Sequence, residues 1–138
     1  IFNVYGERMR IKDGRAVPNF IAQALRGKPI TVYGSGRQTR SLCYISDMVR
    51  GIDKLLHSKI NTPINIGNPE EITILQLAKL IKRLTRSQSA IHHKALPIDD
   101  PKRRCPDIRQ ARARLAWNAE VPLEDGLRRT IAYFRTAR

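Results

Sequence analysis

The chain has 138 residues, 41% hydrophobic and 28% charged, a balance that fits a globular domain with a moderate core and excludes a disordered tail. No apolar run is longer than a few residues, so no membrane-spanning helix is expected. Lys and Arg number 26 against 12 acidic residues, a net charge of +14 that favours anionic partners, but clusters such as KRLTR and RARAR lack the interleaved aromatics of a nucleic-acid stacking platform.

IFNVY at the start reads as a strand with no turn before it, which suggests a piece of a longer protein. A polar loop, GERMRIKDGR, follows, and Pro18 opens a helix over NFIAQALRG that stops at Gly27. ITVY is a second strand and LCYI a third, joined through a glycine-rich loop. A helix is expected from about Ser46 to His57, with Met48, Val49, Ile52, Leu55 and Leu56 on one face. PINIG reads as another short strand. Thr73 and Gln76 then form a capping box, opening a helix with Ile74, Leu77, Ala78, Ile81 and Leu84 on one stripe. IHHKAL reads as an edge strand, and Asp107 with Gln110 as a second capping box before IRQARARLAW. Leu123, Leu127, Ile131 and Phe134 line a last helix. Strands alternating with helices predict an α/β fold. The strands are too few and short for a full doubly wound sheet, so residues 1–138 read as a single, incomplete domain.

Few residues offer reaction chemistry. Cys43 and Cys105 form no CxxC pair, His92 and His93 point to opposite faces of a strand, and His57 has no patterned partner, so no metal is expected. No serine–histidine–acid set is present, and GSG at 34–36 has no helix directly behind it, which rejects a Walker or Rossmann phosphate loop. Binding groups remain. The turn Gly34-Ser35-Gly36 can expose backbone N–H groups to an anion, or be a plain hairpin turn. Arg40 and Arg104 each offer a planar fork suited to phosphate oxygens, although either taken singly reads as a surface arginine.

FNVYGERM, DGRAVPNFIAQALRGKPITVYGSGRQTRSLCYISD, NIGNPEEITILQLAKLIKRL, DDPKRRCPDI and LAWNAEVPLEDGL follow in order over nearly the whole chain. Together they resemble the C-terminal portion of an extended short-chain dehydrogenase/reductase of the NAD-dependent epimerase/dehydratase superfamily. Within it the likeness is to UDP-glucuronic acid decarboxylases (UDP-xylose synthases), through the DGR loop, NPEEITIL and DDPKRRCPD. The resemblance implies a Rossmann-type fold of which this chain is the substrate-binding part. The NAD-binding part, with the tyrosine and lysine of a YxxxK motif, then lies outside it. It implies a reaction in which UDP-glucuronate is oxidised at C4 by NAD, loses carbon dioxide and is reduced to UDP-xylose. It also implies no catalytic residue here, and hence an inactive chain when alone.

Residue by residue, Asn3 matches the asparagine facing the sugar diphosphate, and Val4 the point where the strand approaches the nicotinamide of NAD. Arg15 and Val17 match the loop and helix start that wrap the nucleotide. Thr31, Val32 and Tyr33 match the strand whose backbone and ring bracket the uracil. Arg40 and Arg104 match the paired arginines on the diphosphate. The expected partner is a UDP-sugar, with no nucleic acid and no membrane contact by this region, in a homodimeric parent protein. For the parent protein the cytoplasm is the favoured compartment, with the Golgi lumen as the alternative. Three residues depart from the family pattern: Glu7 for a proline, Cys43 for a glutamine and Cys105 for a lysine. The alternatives are a nucleotide-sugar 4-epimerase or 4,6-dehydratase, or a non-catalytic module that binds nucleotides or polyanions.

Overall fold

The computed structural model describes residues 1–11, 13–96 and 101–136. Its elements alternate between short strands and helices, as the α/β pattern requires. β1 (Val4–Tyr5) pairs in parallel with β4 (Cys43–Tyr44), β2 (Ile30–Tyr33) in parallel with β6 (Ile91–Lys94), and β3 (Thr39–Ser41) antiparallel with β5 (Glu71–Thr73). β3, β5 and the PINIG segment differ from the sequence expectation. Thr39–Ser41 is too short and polar to show any alternation, so β3 was hidden within the glycine-rich loop. PINIG makes no ladder: Ile66 is buried, but the segment's link to the first residues is the bond from Phe2 N–H to Ile66 O.

α1 (Ala16–Leu25) begins two residues before Pro18, with Arg15 as N-cap. Pro18 therefore sits in the first turn, where its missing N–H leaves no helical bond unmade. Val17, Phe20, Ile21 and Ala24 are its buried apolar stripe. α3 (Ile74–Thr85) opens with the expected box: Thr73 Oγ accepts from Gln76 N–H at 3.1 Å, and Gln76 Oε1 from Thr73 N–H at 3.0 Å. Ile74, Leu77, Ala78 and Ile81 are buried and Leu84 is half-buried. α5 (Leu123–Thr136) buries Leu127, Ile131 and Phe134 against the same core.

α2 (Ile45–Leu56) departs from the predicted face. It buries Asp47, Met48 and Gly51, while Val49, Ile52 and Leu56 are 57%, 42% and 77% exposed. A Cβ on Gly51 would lie 2.6 Å from Ile66 and 2.9 Å from the Trp117 indole nitrogen. The absent side chain is thus what lets α2 approach Trp117. Asp47 Oδ2 accepts the N–H groups of Glu120 and Val121, each at 2.9 Å, so a polar residue holds the entry to α5. α4 (Arg109–Leu115) lacks the expected second capping box. Ile108 is its N-cap, and Asp107 Oδ1 accepts instead from Arg109 N–H at 3.0 Å.

The larger core joins α1, α3 and α5 to β2 and to the tyrosines of β1 and β4. A second cluster packs α2 and α4 around Trp117 and Ile66. Among the described residues no helix is long and apolar enough to cross a membrane.

Candidate functional site

A cavity of about 500 Å³ lies between the end of β1, the start of α1, the outer edge of β2 and the segment around Arg104. Asn3, Val4, Arg15, Val17, Thr31, Tyr33, Arg40 and Arg104 all line it. Val32 is the exception: its side chain is fully buried in the main core, because alternate residues of a strand face opposite ways. Any contact from Val32 to the cavity is left to its backbone.

Three arginines, Arg15, Arg40 and Arg104, line this cavity. Arg15 stands at the N-terminus of α1, whose first turn carries no acidic residue, and whose leading N–H groups add partial positive charge. Arg15 is oriented by Asp13, which accepts from its Nε at 2.8 Å and its backbone N–H at 2.9 Å. Burial pushes the Asp13 carboxyl up, but these bonds outweigh it and hold the group below its ordinary value. Arg40 Nη1 donates to Thr39 O and to Pro101 O, at 2.7 and 2.8 Å.

Arg104 is brought beside Arg40 by backbone pairing. Thr39 N–H donates to Lys102 O at 3.0 Å and Ser41 N–H to Arg104 O at 3.2 Å, so 102–104 runs along β3 like an added strand. Glu71 of β5 fastens the arrangement, accepting from Arg103 Nη2 at 2.7 Å and Thr39 Oγ at 2.6 Å. The Arg103 guanidinium, then the Thr39 hydroxyl, hold the Glu71 carboxyl down at about 2. Asp99 and Asp100 of the DDPKRRCPD motif lie outside the described residues.

Asn3 has an unusual conformation. Its φ is +31°, in the left-handed region, and its Nδ2 is buried without a hydrogen-bond partner. A strained residue with an orphaned donor at a cavity wall is the pattern of a group held ready for a ligand.

The glycine turn is tied into the sheet and the core. Gly34 N–H donates to Lys94 O at 2.7 Å, which continues the β2–β6 ladder. Gly36 has a φ of +73°, and a Cβ there would lie 2.8 Å from Val32 and 2.9 Å from Leu75. The glycines serve turn geometry and close packing, and the cations come from elsewhere.

Sequence reading missed Gln23, Gln38 and Lys94, which also line the cavity. Gln23 had a signal: it is a polar residue three positions after Phe20, beside the apolar stripe of α1. Ile30 N–H donates to Ala90 O at 2.8 Å, as Gly34 does to Lys94, so Thr31 and Tyr33 turn their polar backbone groups away from β6. On that outer edge Thr31 N–H donates to Gln23 Oε1 at 3.0 Å, and Gln38 Nε2 donates to Tyr33 O at 2.9 Å. Between them the edge presents Thr31 C=O and Tyr33 N–H.

The departures from the family pattern are accommodated. Glu7 accepts from the Tyr44 hydroxyl, with Arg129 lying 5.6 Å from that ring's centre, and Glu7 is not part of the cavity wall. Cys43 and Cys105 are free thiols. Burial, then the Asp47 charge, pushes the Cys43 thiol up to about 12, which leaves it unreactive. Among the described residues no group of three His, Cys, Asp or Glu is placed to hold a metal ion.

Residues 1–67 match the NAD dependent epimerase/dehydratase family. Over 134 residues the chain is 55% identical to UDP-glucuronic acid decarboxylase 1 of Danio rerio, covering 97% of this chain and 32% of that relative. UDP-glucuronic acid decarboxylase 6 of Arabidopsis thaliana is 50% identical over 127 residues, covering 92% and 37%. Among solved structures, UDP-glucose 4-epimerase of Thermotoga maritima with UDP-glucose has a TM-score of 0.93 at 32% identity, covering 97% of this chain and 44% of that one. UDP-glucuronic acid 4-epimerase of Bacillus cereus, in complex with UDP-glucuronic acid and NAD, has 0.89 at 33% identity, covering 97% and 43%. The chain therefore spans about a third of the length of the curated relatives it matches and under half of these solved structures. Over that span it has the α/β fold of the Rossmann-type epimerases and a sequence similar to UDP-glucuronic acid decarboxylases.

Proposed function

We propose that the cavity holds the uridine diphosphate of a UDP-sugar, and that the chain is the nucleotide-sugar-binding part of an NAD-dependent UDP-glucuronate decarboxylase. One observation carries this reading: Arg15, Arg40 and Arg104, from three separate segments, line one cavity with the N-terminus of α1. A diphosphate needs convergent donors, and guanidiniums supply them in fixed planes. Asn3 offers its orphaned Nδ2 to the sugar–phosphate side. The Tyr33 ring, 45% exposed, and the outer edge of β2 flank the base.

The wall at Val4 fits a nicotinamide ring by apolar contact alone, so the rest of the NAD site is read as lying outside these residues. NAD, when bound, supplies a hydride acceptor for C4 of the sugar and a donor for the hydride's return. A ketone at C4 makes the sugar a β-keto acid, so the electrons left by departing carbon dioxide delocalise into an enolate. This chain's share is to fix the diphosphate and base so that C4 is presented to that chemistry. Decarboxylation is favoured over 4-epimerisation by the 55% identity to a decarboxylase, against 33% to an epimerase. The whole protein is read as a homodimer, which sedimentation of the full-length form would check.

The test is calorimetric titration of UDP into the chain. Arg40→Ala is expected to weaken binding about tenfold, the scale of one lost charge-assisted contact. In the full-length protein the same change raises KM for UDP-glucuronate and spares NAD binding. Unchanged UDP affinity would remove Arg40 from the diphosphate site, and no UDP binding by the unaltered chain would remove the reading itself.

A further inference from the structure

We propose that Gln23 and Gln38 are specificity-determining positioning residues, which fix the register in which a pyrimidine base meets the outer edge of β2; this rests on reading the cavity as a uridine diphosphate site. Along that edge the polar groups run in the order Thr31 N–H, Thr31 C=O, Tyr33 N–H, Tyr33 C=O. The outer two are occupied by Gln23 Oε1 at 3.0 Å and Gln38 Nε2 at 2.9 Å. The inner two, a C=O and the N–H two residues on, are the pair that a neighbouring parallel strand would bridge with the N–H and C=O of a single residue. The imide edge of uracil presents an N–H and a C=O side by side in one plane, and so takes the place of that residue.

An uncapped strand edge offers several registers to whatever pairs with it. Capping both ends leaves one. The caps are themselves held. Gln23 comes from α1 and also donates Nε2 to Thr31 Oγ at 3.1 Å, so both ends of its amide are engaged. The backbone C=O of Gln38 accepts from Ile74 N–H at 3.0 Å at the start of α3. Val32, fully buried, stops the strand from turning over. With diphosphate and base both fixed, cytosine would set its N3 lone pair against Thr31 C=O where uracil offers N3–H. The single register therefore selects uracil.

The measurement is calorimetry on the chain with UDP, CDP and inorganic pyrophosphate as separate ligands. The unaltered chain is expected to prefer UDP over CDP by about tenfold, the cost of one opposed hydrogen-bond pair. Gln23→Leu and Gln38→Leu are expected to bring that ratio near one while pyrophosphate affinity stays within about twofold, since a purely structural loss would weaken all three ligands together. Gln23→Glu keeps an acceptor for Thr31 N–H, and is expected to keep the ratio even though its charge weakens both nucleotides. Gln38→Leu serves as the test from the opposite end if Gln23→Leu melts early. A ratio unchanged in both leucine variants, or absent from the unaltered chain while UDP still binds, overturns this inference and leaves the diphosphate reading standing. Failure of UDP and pyrophosphate alike to bind overturns the diphosphate reading.

Discussion

Two twelve-residue helices, α2 and α3, have equally convincing apolar stripes in sequence and opposite fates in the fold. α3 turns its stripe inward between α1 and α5 and leaves basic residues outside. α2 turns a carboxylate and a glycine inward, buries Met48 and half-buries Leu55 of its stripe, and leaves Val49, Ile52 and Leu56 in solvent. The difference teaches that periodicity reports a face and not what covers it. On α2 the close neighbour is Trp117, whose indole packs where Gly51 has no side chain and whose Nε1 donates to Asp47 O at 3.0 Å. A close approach of that kind leaves no hydrophobic signature in the helix.

If the contrast is real, the two helices should answer substitution differently. Ile81→Ala removes a fully buried side chain from α3 and is expected to cost about 3 kcal/mol in denaturant unfolding. Asp47→Ala strips the acceptor from Glu120 N–H and Val121 N–H, and is expected to cost about 2 kcal/mol. Asp47→Asn, which keeps an oxygen there, should recover part of the loss. If the Asp47 variants matched the unaltered chain in stability, the Asp47 carboxylate would not be an anchor of α2.

Much of this was legible and the rest had definite reasons to be hidden. The α3 box was readable because Thr73 and Gln76 act within four residues, as was the last stripe of α5. The residues around the cavity were reached through family resemblance, since Arg15, Arg40 and Arg104 are far apart in sequence and nothing local links them. β3 and β5 could not be read because segments of three residues each gain their strand identity only from one another and from 102–104. The glycine turn was ambiguous because glycine permits anion binding and tight packing alike, and the close approach of Leu75 to Gly36 is invisible in sequence. Gln23 and Gln38 escaped because their bonds are to backbone atoms, whose direction depends on the pairing of β2 with β6.

The smaller effects test the helix starts and faces. Thr73→Ala breaks the α3 box and is expected to cost about 1 kcal/mol. Ile52→Ala, on the uncovered face of α2, is expected to stay within about 0.5 kcal/mol. A loss above about 1 kcal/mol there would mean that this face is covered in solution, and the contrast with α3 would fall.

The smallest expected effect concerns the carboxylate that precedes α3. Glu71 is held at about 2 against an ordinary 4.5, through Arg103 first and Thr39 second. A depressed carboxyl adds stability that is complete above the unfolded value, so the Glu71 contribution is present above about pH 4.5 and lost as pH falls through about 2. Glu71→Gln should therefore flatten part of the acid limb of the stability curve between those values and change little at neutral pH. The direct check is an NMR titration of the Glu71 carboxyl carbon, with a midpoint near 2 expected. A midpoint near 4.5 would mean that Arg103 is not clamped in solution. The same clamp aligns 102–104 with β3, so its loss should also let Arg104 drift from Arg40. UDP affinity is then expected to fall by about twofold, as suits an exposed ion pair acting at one remove.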